Sequence, residues 1–420
     1  MDYKETLTWI HSYKAKGRRP KQARMLALLE KLDNPQQKIT ALHIVGTNGK
    51  GSTVSFLQHI LTASGYTAGT FTSPFITRFN ERIAINQQPI SDKDLCRTAA
   101  LIRPLVEDEQ LLSKWGRPTE FELVTLLMFT YFARIKPVDL ALIEAGVGGT
   151  RDATNVFTPL AVICPSISYD HQETLGSSLS QIASHKVGVL SESTPLIFGQ
   201  FQQEARLVFY QRAALFSAPT YELGKDFFYT EKKDSLTFCR DDFCLSDIQL
   251  QLLGEHQKSN AALAAMAALL LSKKRKNITA ESIKTGLQKA TWPGRAELIS
   301  PHILLDGAHN EEAMQSLTAL LEEHFADKKI YILFAGLKRK PIQKMLACLT
   351  PYDLIVTSFD FPGAEDLENY SCHFKKVEDW HLWLKMIPEQ TNDLYVVTGS
   401  LYFISEVRRY LLASTDSHSI

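Results

Sequence analysis

Short, wholly apolar runs alternate along this chain with stretches whose apolar positions recur every three or four residues. Residues 41–45 form the first run; Val54, Leu57, Ile60 and Leu61 then mark one helix face that Gly65 stops, and 67–72 form a second run. Strand, helix, strand in that order predicts parallel pairing. Thr119-Glu120-Phe121-Glu122 has the spacing of a capping box, and Phe121, Val124, Met128 and Phe132 continue it as an apolar face. The runs 138–143 and 160–163 read as buried strands, each followed by polar and glycine-rich residues where ligands of open α/β sheets collect. From 221 to 253 aromatic and charged residues alternate, and within 229–244 they predict an appended antiparallel hairpin; the alanine-rich stretch 260–271 returns to helix. After Pro293-Gly294-Arg295 a second alternation brings strands at 303–305, 330–334, 354–356 and 394–397. The pattern is that of an α/β protein. A P-loop domain with a mostly parallel sheet and the appended hairpin is expected over 1–295, followed by a smaller Rossmann-like α/β domain over 296–420, with the hinge at 295–301.

The length of 420 residues suits two domains. With 45% hydrophobic residues, 22% charged and a net charge of zero, the composition points away from disorder and from a basic nucleic-acid footprint. Small-molecule partners are expected. No apolar run approaches the roughly 20 residues that cross a bilayer, and the start lacks a leader pattern, so the expected location is cytoplasmic. Six scattered cysteines without a C-x-x-C pair support neither a zinc cage nor a disulfide framework, and suit a reducing cytosol.

Residues 46–53 read Gly-Thr-Asn-Gly-Lys-Gly-Ser-Thr at the junction of the first run with the first helical pattern. This is a phosphate-binding loop: glycines let backbone N–H groups curl round an anion, the helix N-terminus adds positive charge, and Lys50 reaches the terminal phosphates. A nucleotide triphosphate is the expected ligand. The loop departs from G-x-x-x-x-G-K-[ST], because Gly46 stands four residues before Lys50 and Gly51 separates Lys50 from Ser52.

Glu144 ends the run 138–143 before a glycine turn, so its carboxylate emerges at the edge that carries the loop. There it is either a Mg²⁺ ligand beside nucleotide phosphates or a solvated strand-end acid. Asp170-His171 lies beyond the run 160–163, followed by His185-Lys186. An isolated histidine is more often structural than a ligand, and only its place beyond a third parallel strand argues otherwise; Lys186 carries the same plain reading. Thr72-Ser73-Pro74-Phe75, with Arg78, Glu81 and Arg82, is either a Ser-Pro turn with surface charges or a loop binding metal and an anionic or aromatic substrate. Trp292-Pro293-Gly294-Arg295 and Asp306-Gly307-Ala308-His309-Asn310 offer an arginine for phosphate charge and an acid for ribose hydroxyls or water. Alternatively, Asp306 or Asn310 only caps a helix. Thr398-Gly399-Ser400 closes the last strand and reads equally as a turn.

Taken in order, GTNGKGS, TSPF with NERI, IEAGVGG with DATN, DHQETLG with HK, PGR and DGAHN resemble the folylpolyglutamate synthase and dihydrofolate synthase family, which belongs with the Mur ligases. The likeness runs over residues 11–402. It implies an ATP- and Mg²⁺-dependent, monomeric amide ligase that joins L-glutamate to the carboxylate of a folate and releases ADP and phosphate. A bare carboxylate would have to expel an oxide, so the family first makes an acyl phosphate, which the glutamate amine then displaces. Residue by residue, the resemblance puts ATP contacts at Thr47, Asn48, Gly49, Lys50, Gly51, Ser52, Asn260, Arg295 and Asp306, and magnesium ligands at Ser73, Glu144 and His171. Lys186 matches a lysine carbamylated by CO₂ in relatives, which would hold a second magnesium. His309 and Ser400 match positions for the incoming glutamate, and Phe75, Arg82, Phe121, Arg151, Asp152 and Ala153 match the folate side.

Two departures stand out. Where relatives carry a Lys-Asp pair, this chain has Gly336-Leu337-Lys338-Arg339-Lys340-Pro341, which leaves local salt bridging open and offers a basic run to polyglutamate. Residues 14–22 lack the Asp-Leu-Gly-Leu-Glu-Arg pattern that binds dihydropteroate in bifunctional members, so polyglutamylation is expected ahead of dihydrofolate synthesis. A Mur-type peptide ligase would need a UDP-binding domain ahead of the loop, where about forty residues stand. A non-catalytic nucleotide-binding regulator would have no use for Lys50, Glu144, His171 and Arg295 together.

Overall fold

The computed structural model describes residues 1–14, 20–232 and 235–416. Part of the 14–22 stretch, at 15–19, lies outside the described residues. The chain divides into two compact units: Met1–Phe75, Phe79–Gln251 and Lys258–Ala290 form the first, and Ile76–Arg78, Leu252–Gln257 and Thr291–Ile420 the second.

The first unit is built on eight strands: β1 (Ala41–Ile44), β2 (Ala68–Phe71), β3 (Ile83–Ile85), β4 (Gln88–Pro89), β5 (Leu140–Glu144), β6 (Val162–Cys164), β7 (Leu196–Phe198) and β8 (Thr220–Glu222). They lie in the order β4-β3-β2-β5-β1-β6-β7-β8. Every pairing from β2 to β8 is parallel, and β3 alone runs against the others, pairing antiparallel with β2 and with β4. Parallel strands are covered by crossover helices on both faces, which is why β5 reads Leu-Ala-Leu-Ile-Glu with no exposed position. The register sets Ile44 opposite Glu144. The chain therefore leaves β2, β5, β1 and β6 along one shared edge.

The capping box forms as expected, with Thr119 and Glu122 bonding reciprocally at the start of the helix Glu120–Thr130. Glu122 also takes a buried ion pair that local spacing does not reveal, since Arg24 donates to both its oxygens at 2.6 and 3.0 Å. Such a pair is stable because each charge keeps its hydrogen-bond partners after losing water.

Residues 228–248 form β9 (Phe228–Lys232), β10 (Ser235–Arg240) and β11 (Phe243–Ile248), an antiparallel sheet with one strand more than the expected hairpin. One cysteine pair departs from the expectation of no disulfide. Cys239 and Cys244 are joined by a disulfide, while Cys96, Cys164, Cys348 and Cys372 are unpaired. The tight turn after Arg240 puts the two cysteines directly opposite each other in register, with Cα atoms 4.2 Å apart. That proximity arises from strand pairing, which motif spacing does not detect.

The second unit holds β12 (Glu297–Ser300), β13 (Ile303–Leu305), β14 (Ile330–Phe334), β15 (Asp353–Val356), β16 (Lys375–Lys376) and β17 (Leu394–Thr398) in the order β12-β13-β17-β14-β15-β16. All pairings except β12 with β13 are parallel. Residues 306–310, 336–340 and 399–400 accordingly leave the sheet on one edge. Among the described residues no helix is long and apolar enough to cross a membrane.

His43 lies wholly buried inside β1, and burial pushes its imidazole down to about 3 from 6.5. The folded protein keeps this ring neutral, whereas the unfolded chain takes up a proton below about pH 6.5. Stability present above that pH is therefore lost as the pH falls, by up to about 1.4 kcal/mol per unit. Between pH 7 and 5 the group is expected to remove about 2 kcal/mol, and His43→Gln should flatten that part of the dependence. Denaturant midpoints at the two pH values check this; equal slopes in both proteins would refute it.

Candidate active site

β1 ends at Ile44, and the helix Lys50–Ala63 begins with Gly49 as N-cap at φ 83°. Only glycine fits, because a Cβ there would lie 2.4 Å from Asn260 Oδ1 and 2.9 Å from Pro165 Cβ. Asn260, buried on the helix Glu255–Ser272, is thus set against the loop. Gly51 and Ser52 occupy the first helical turn, with Ser52 buried. Two serines beyond β6 clamp the loop. Thr47 N–H donates to the Ser166 carbonyl at 2.9 Å, its hydroxyl to the Ser168 carbonyl at 3.2 Å, and Asn48 N–H to Ser166 Oγ at 2.9 Å. Sequence reasoning missed Ser166 and Ser168; the available signal was two hydroxyls following an apolar run at the ligand edge.

Lys50 folds back over the loop, its Nζ 3.1 Å from the Gly46 carbonyl, 3.0 Å from the Thr47 carbonyl and 3.8 Å from Glu144 Oε1. Lys186, buried in the last turn of the helix Leu179–Val187, donates to the same Gly46 carbonyl at 2.7 Å. Burial, and after it the charge of Lys50, pushes the Lys186 amine down to about 7. Glu144 is 4% exposed, which decides against a solvated strand-end acid. Its Oε2 accepts from Ser73 N–H at 3.3 Å. A chain of contacts therefore runs from Ser73 through Glu144 and Lys50 to the Gly46 carbonyl that Lys186 also holds.

His171 follows β6 and stands at the start of the helix Gln172–Leu175 in a left-handed conformation, φ 50°. Its N–H donates to Asp170 Oδ1 at 2.8 Å, and its Nε2 lies 3.8 Å from Asp170 Oδ2. Among the described residues no three His, Cys, Asp or Glu side chains gather as a metal cage. The edge offers a carboxylate and a serine, while His171 lies in the segment after β6, a strand that pairs with β1 and not with β5. Few ligands of hard oxygen type fit Mg²⁺, which completes its shell with water and phosphate.

On the loop after β2, the Arg82 guanidinium lies 5.4 Å from the Phe75 ring and 5.6 Å from that of Phe79. Phe79, which the sequence reading passed over, completes a cationic aromatic corner. Phe121 covers Gly146, where a Cβ would come within 2.6 Å of the ring. Arg151 is exposed. Asp152 and Ala153 turn inward instead: both are buried, and Asp152 accepts from Val147 N–H at 2.9 Å and Thr154 N–H at 3.0 Å.

Within the second unit, Asp306 accepts from Ala296 N–H and Ala308 N–H, both at 2.8 Å, and so latches the turn that carries the half-buried Arg295. The capping role belongs to Asn310, whose Oδ1 accepts from Ala313 N–H at 2.9 Å. His309 Nδ1 sits 2.8 Å from the Gly307 carbonyl, which only accepts, so the hydrogen is on Nδ1. Ser400, 1% exposed, accepts from Tyr402 N–H at 3.2 Å and starts the last helix. His256 escaped sequence reasoning; burial pushes its pKa down, against the opposing charge of nearby Asp306. Lys338 retains local salt bridging through Asp366 at 2.6 Å.

A phosphate loop, a buried acid and a paired-lysine cluster at one sheet edge define a nucleotide-dependent ligase of the Mur type, and residues 44–269 match the Mur ligase middle domain. The dihydrofolate synthase/folylpolyglutamate synthase of Bacillus subtilis strain 168 is 39% identical, covering 97% of this chain and 99% of its own. The folylpolyglutamate synthase of Lacticaseibacillus casei is 35% identical over 98% and 99%. Among solved structures, an FPGS-AMPPCP-folate complex superposes with a TM-score of 0.85 at 33% identity, covering 98% of this chain and all of that one. The chain belongs to the folylpolyglutamate synthase/dihydrofolate synthase family and is an ATP-dependent ligase.

Gly49→Ala would force a left-handed alanine against Asn260 and Pro165, a strain of about 1 kcal/mol or more before any clash. The expected result is at least tenfold weaker binding of AMPPCP by calorimetry. Wild-type affinity would show that the loop does not depend on this close approach.

Proposed function

We propose that the chain adds L-glutamate to the carboxylate of a reduced folate or its polyglutamates through an acyl phosphate, releasing ADP and phosphate. The carrying observation is that Lys50 and Lys186 both donate to the Gly46 carbonyl at the start of a phosphate loop, with the buried Glu144 carboxylate 3.8 Å from Lys50. Support comes also from likeness to a complex that holds an ATP analogue and folate.

In this reading the loop amides and Lys50 cradle the β- and γ-phosphates and draw charge from the phosphoryl group as it moves to the substrate carboxylate. Glu144, Ser73 and His171 would hold Mg²⁺, which supplies neutralisation of phosphate charge when bound. Phe75 and Arg82 suit a flat ring system with an anionic tail, because aromatic faces stack and the guanidinium pairs with carboxylate, while the buried Phe79 supports the guanidinium. Arg295 steadies phosphate charge, Asp306 contacts the nucleotide, and His309 and Ser400 orient the incoming amino acid. The basic run at 338–340 suits polyglutamate.

Purified protein is expected to release ADP only when a reduced folate, glutamate and Mg²⁺ are all present, and Lys50→Ala to lower the rate at least a hundredfold. Labelled-glutamate incorporation compared among dihydropteroate, tetrahydrofolate and a diglutamate derivative ranks the substrates. Nucleotide turnover without an amide product would overturn the reading, and strong turnover of dihydropteroate would shift it to a bifunctional enzyme.

Lys186 has the chemistry for carbamylation. Above about pH 7 its folded-state amine is neutral and nucleophilic, and below that it is protonated and inert. The amine would attack CO₂, forming a C–N bond and releasing a proton to solvent, and the resulting carbamate anion would relieve the repulsion from Lys50 and supply an oxygen ligand to a metal. Labelled bicarbonate should give a carbamate ¹³C resonance that grows as the pH rises through 7 and is absent from Lys186→Ala. An unmodified, fully active wild type would remove the carbamate from the mechanism.

A further inference from the structure

A buried chain of hydrogen bonds joins the strand ahead of the phosphate loop to the loop that follows Glu144. His43 Nε2 lies 2.8 Å from Thr154 Oγ1, and Thr154 Oγ1 lies 2.6 Å from Asp152 Oδ1. The hydroxyl has one hydrogen, and the carboxylate only accepts. Thr154 must therefore donate to Asp152 and accept from the His43 Nε2–H, which sets the tautomer of the ring. Asp152 uses its second oxygen on Val147 N–H at 2.9 Å, three residues beyond Glu144.

The same loop reaches Lys186. Thr150 donates to the His185 carbonyl through its N–H at 2.8 Å and its hydroxyl at 3.1 Å, and His185 immediately precedes Lys186. His43 itself sits on β1 three residues before Gly46, opposite Ile143 of β5. One side chain in the phosphate-loop strand is thus connected to the exit of the Glu144 strand and to the helix that carries Lys186. All three members of the chain are buried: His43 and Thr154 at 0% exposure and Asp152 at 4%.

We infer that His43, acting through Thr154 and Asp152, is a positioning residue that sets the loop 145–154 and thereby holds Glu144 and Lys186 in register with the phosphate loop. This rests on the reading of Glu144 and Lys186 as metal-side groups. Groups that orient metal-site residues typically change metal affinity or activity by about 10–100-fold when removed. Loss of the Thr154 hydroxyl leaves Asp152 short of one donor and His43 without its acceptor, so the loop loosens where it joins the site.

Four variants test the inference in the full-length protein. Thr154→Val and His43→Leu remove a link at similar volume, while Thr154→Ser and His43→Gln keep the donor. Hydrogen exchange of residues 145–155 and the Mg²⁺ concentration that half-saturates AMPPCP binding are measured well below the melting temperature. Both are expected to rise about tenfold in Thr154→Val and His43→Leu, with Mg²⁺-free AMPPCP affinity unchanged, and to return close to wild type in the two conservative variants. Either disruptive variant suffices if the other fails to fold. Unchanged exchange and Mg²⁺ dependence, or a loss of Mg²⁺-free nucleotide binding of the same size, would overturn the inference. Neither readout requires turnover, so absence of a glutamyl-folate product in the wild type counts against the ligase reading and not against this network.

Discussion

Two lysine amines converge on one backbone carbonyl, that of Gly46, at 3.1 and 2.7 Å. Like charges held this close in a partly desolvated site repel, and the repulsion has only two outlets: one amine gives up its proton, or an anion enters between them. Lys186 takes the first outlet: burial lowers its pKa most, and the charge of Lys50 lowers it further. A nucleotide's terminal phosphates provide the second. The arrangement is therefore strained toward the ligand it is read to bind, and the buried carboxylate of Glu144 beside Lys50 moderates that strain before the ligand arrives.

The sheet makes this convergence possible. Parallel strands deliver their carboxyl ends to a single edge, so β2, β5, β1 and β6 contribute Ser73, Glu144, the phosphate loop and the Ser166–His171 segment without long excursions. Each loop is then tied down by neighbours rather than by its own turn. Ser166 and Ser168 hold the phosphate loop from β6, and Asp152 holds the glycine turn after Glu144. In the second unit the same device recurs, with Asp306 gathering two backbone amides to shape the turn around Arg295.

Most strands and the principal helices were legible because their signals are local: apolar runs of buried parallel strands, a capping box, a glycine stop. The chemical candidates were legible where residue type and strand end coincide, as for Lys50 and Glu144. What escaped was information carried by register and through-space contact. Cys239 and Cys244 pair because a tight turn sets them opposite each other; Phe79 joins Arg82 because a loop folds; His256 lies beside Asp306 although fifty positions separate them in the chain.

The amino-acid order by itself determined the class of fold, the phosphate loop and the family, since these rest on periodicity and on an ordered set of motifs that survive without coordinates. Tertiary structure alone decided which candidates act as one group. It buried Glu144, made Asp152 a latch on the turn after Glu144, and brought Lys186 to the carbonyl that Lys50 already holds. Burial and distance are properties of packing, and packing is what converts an ordinary lysine amine into one poised near neutrality.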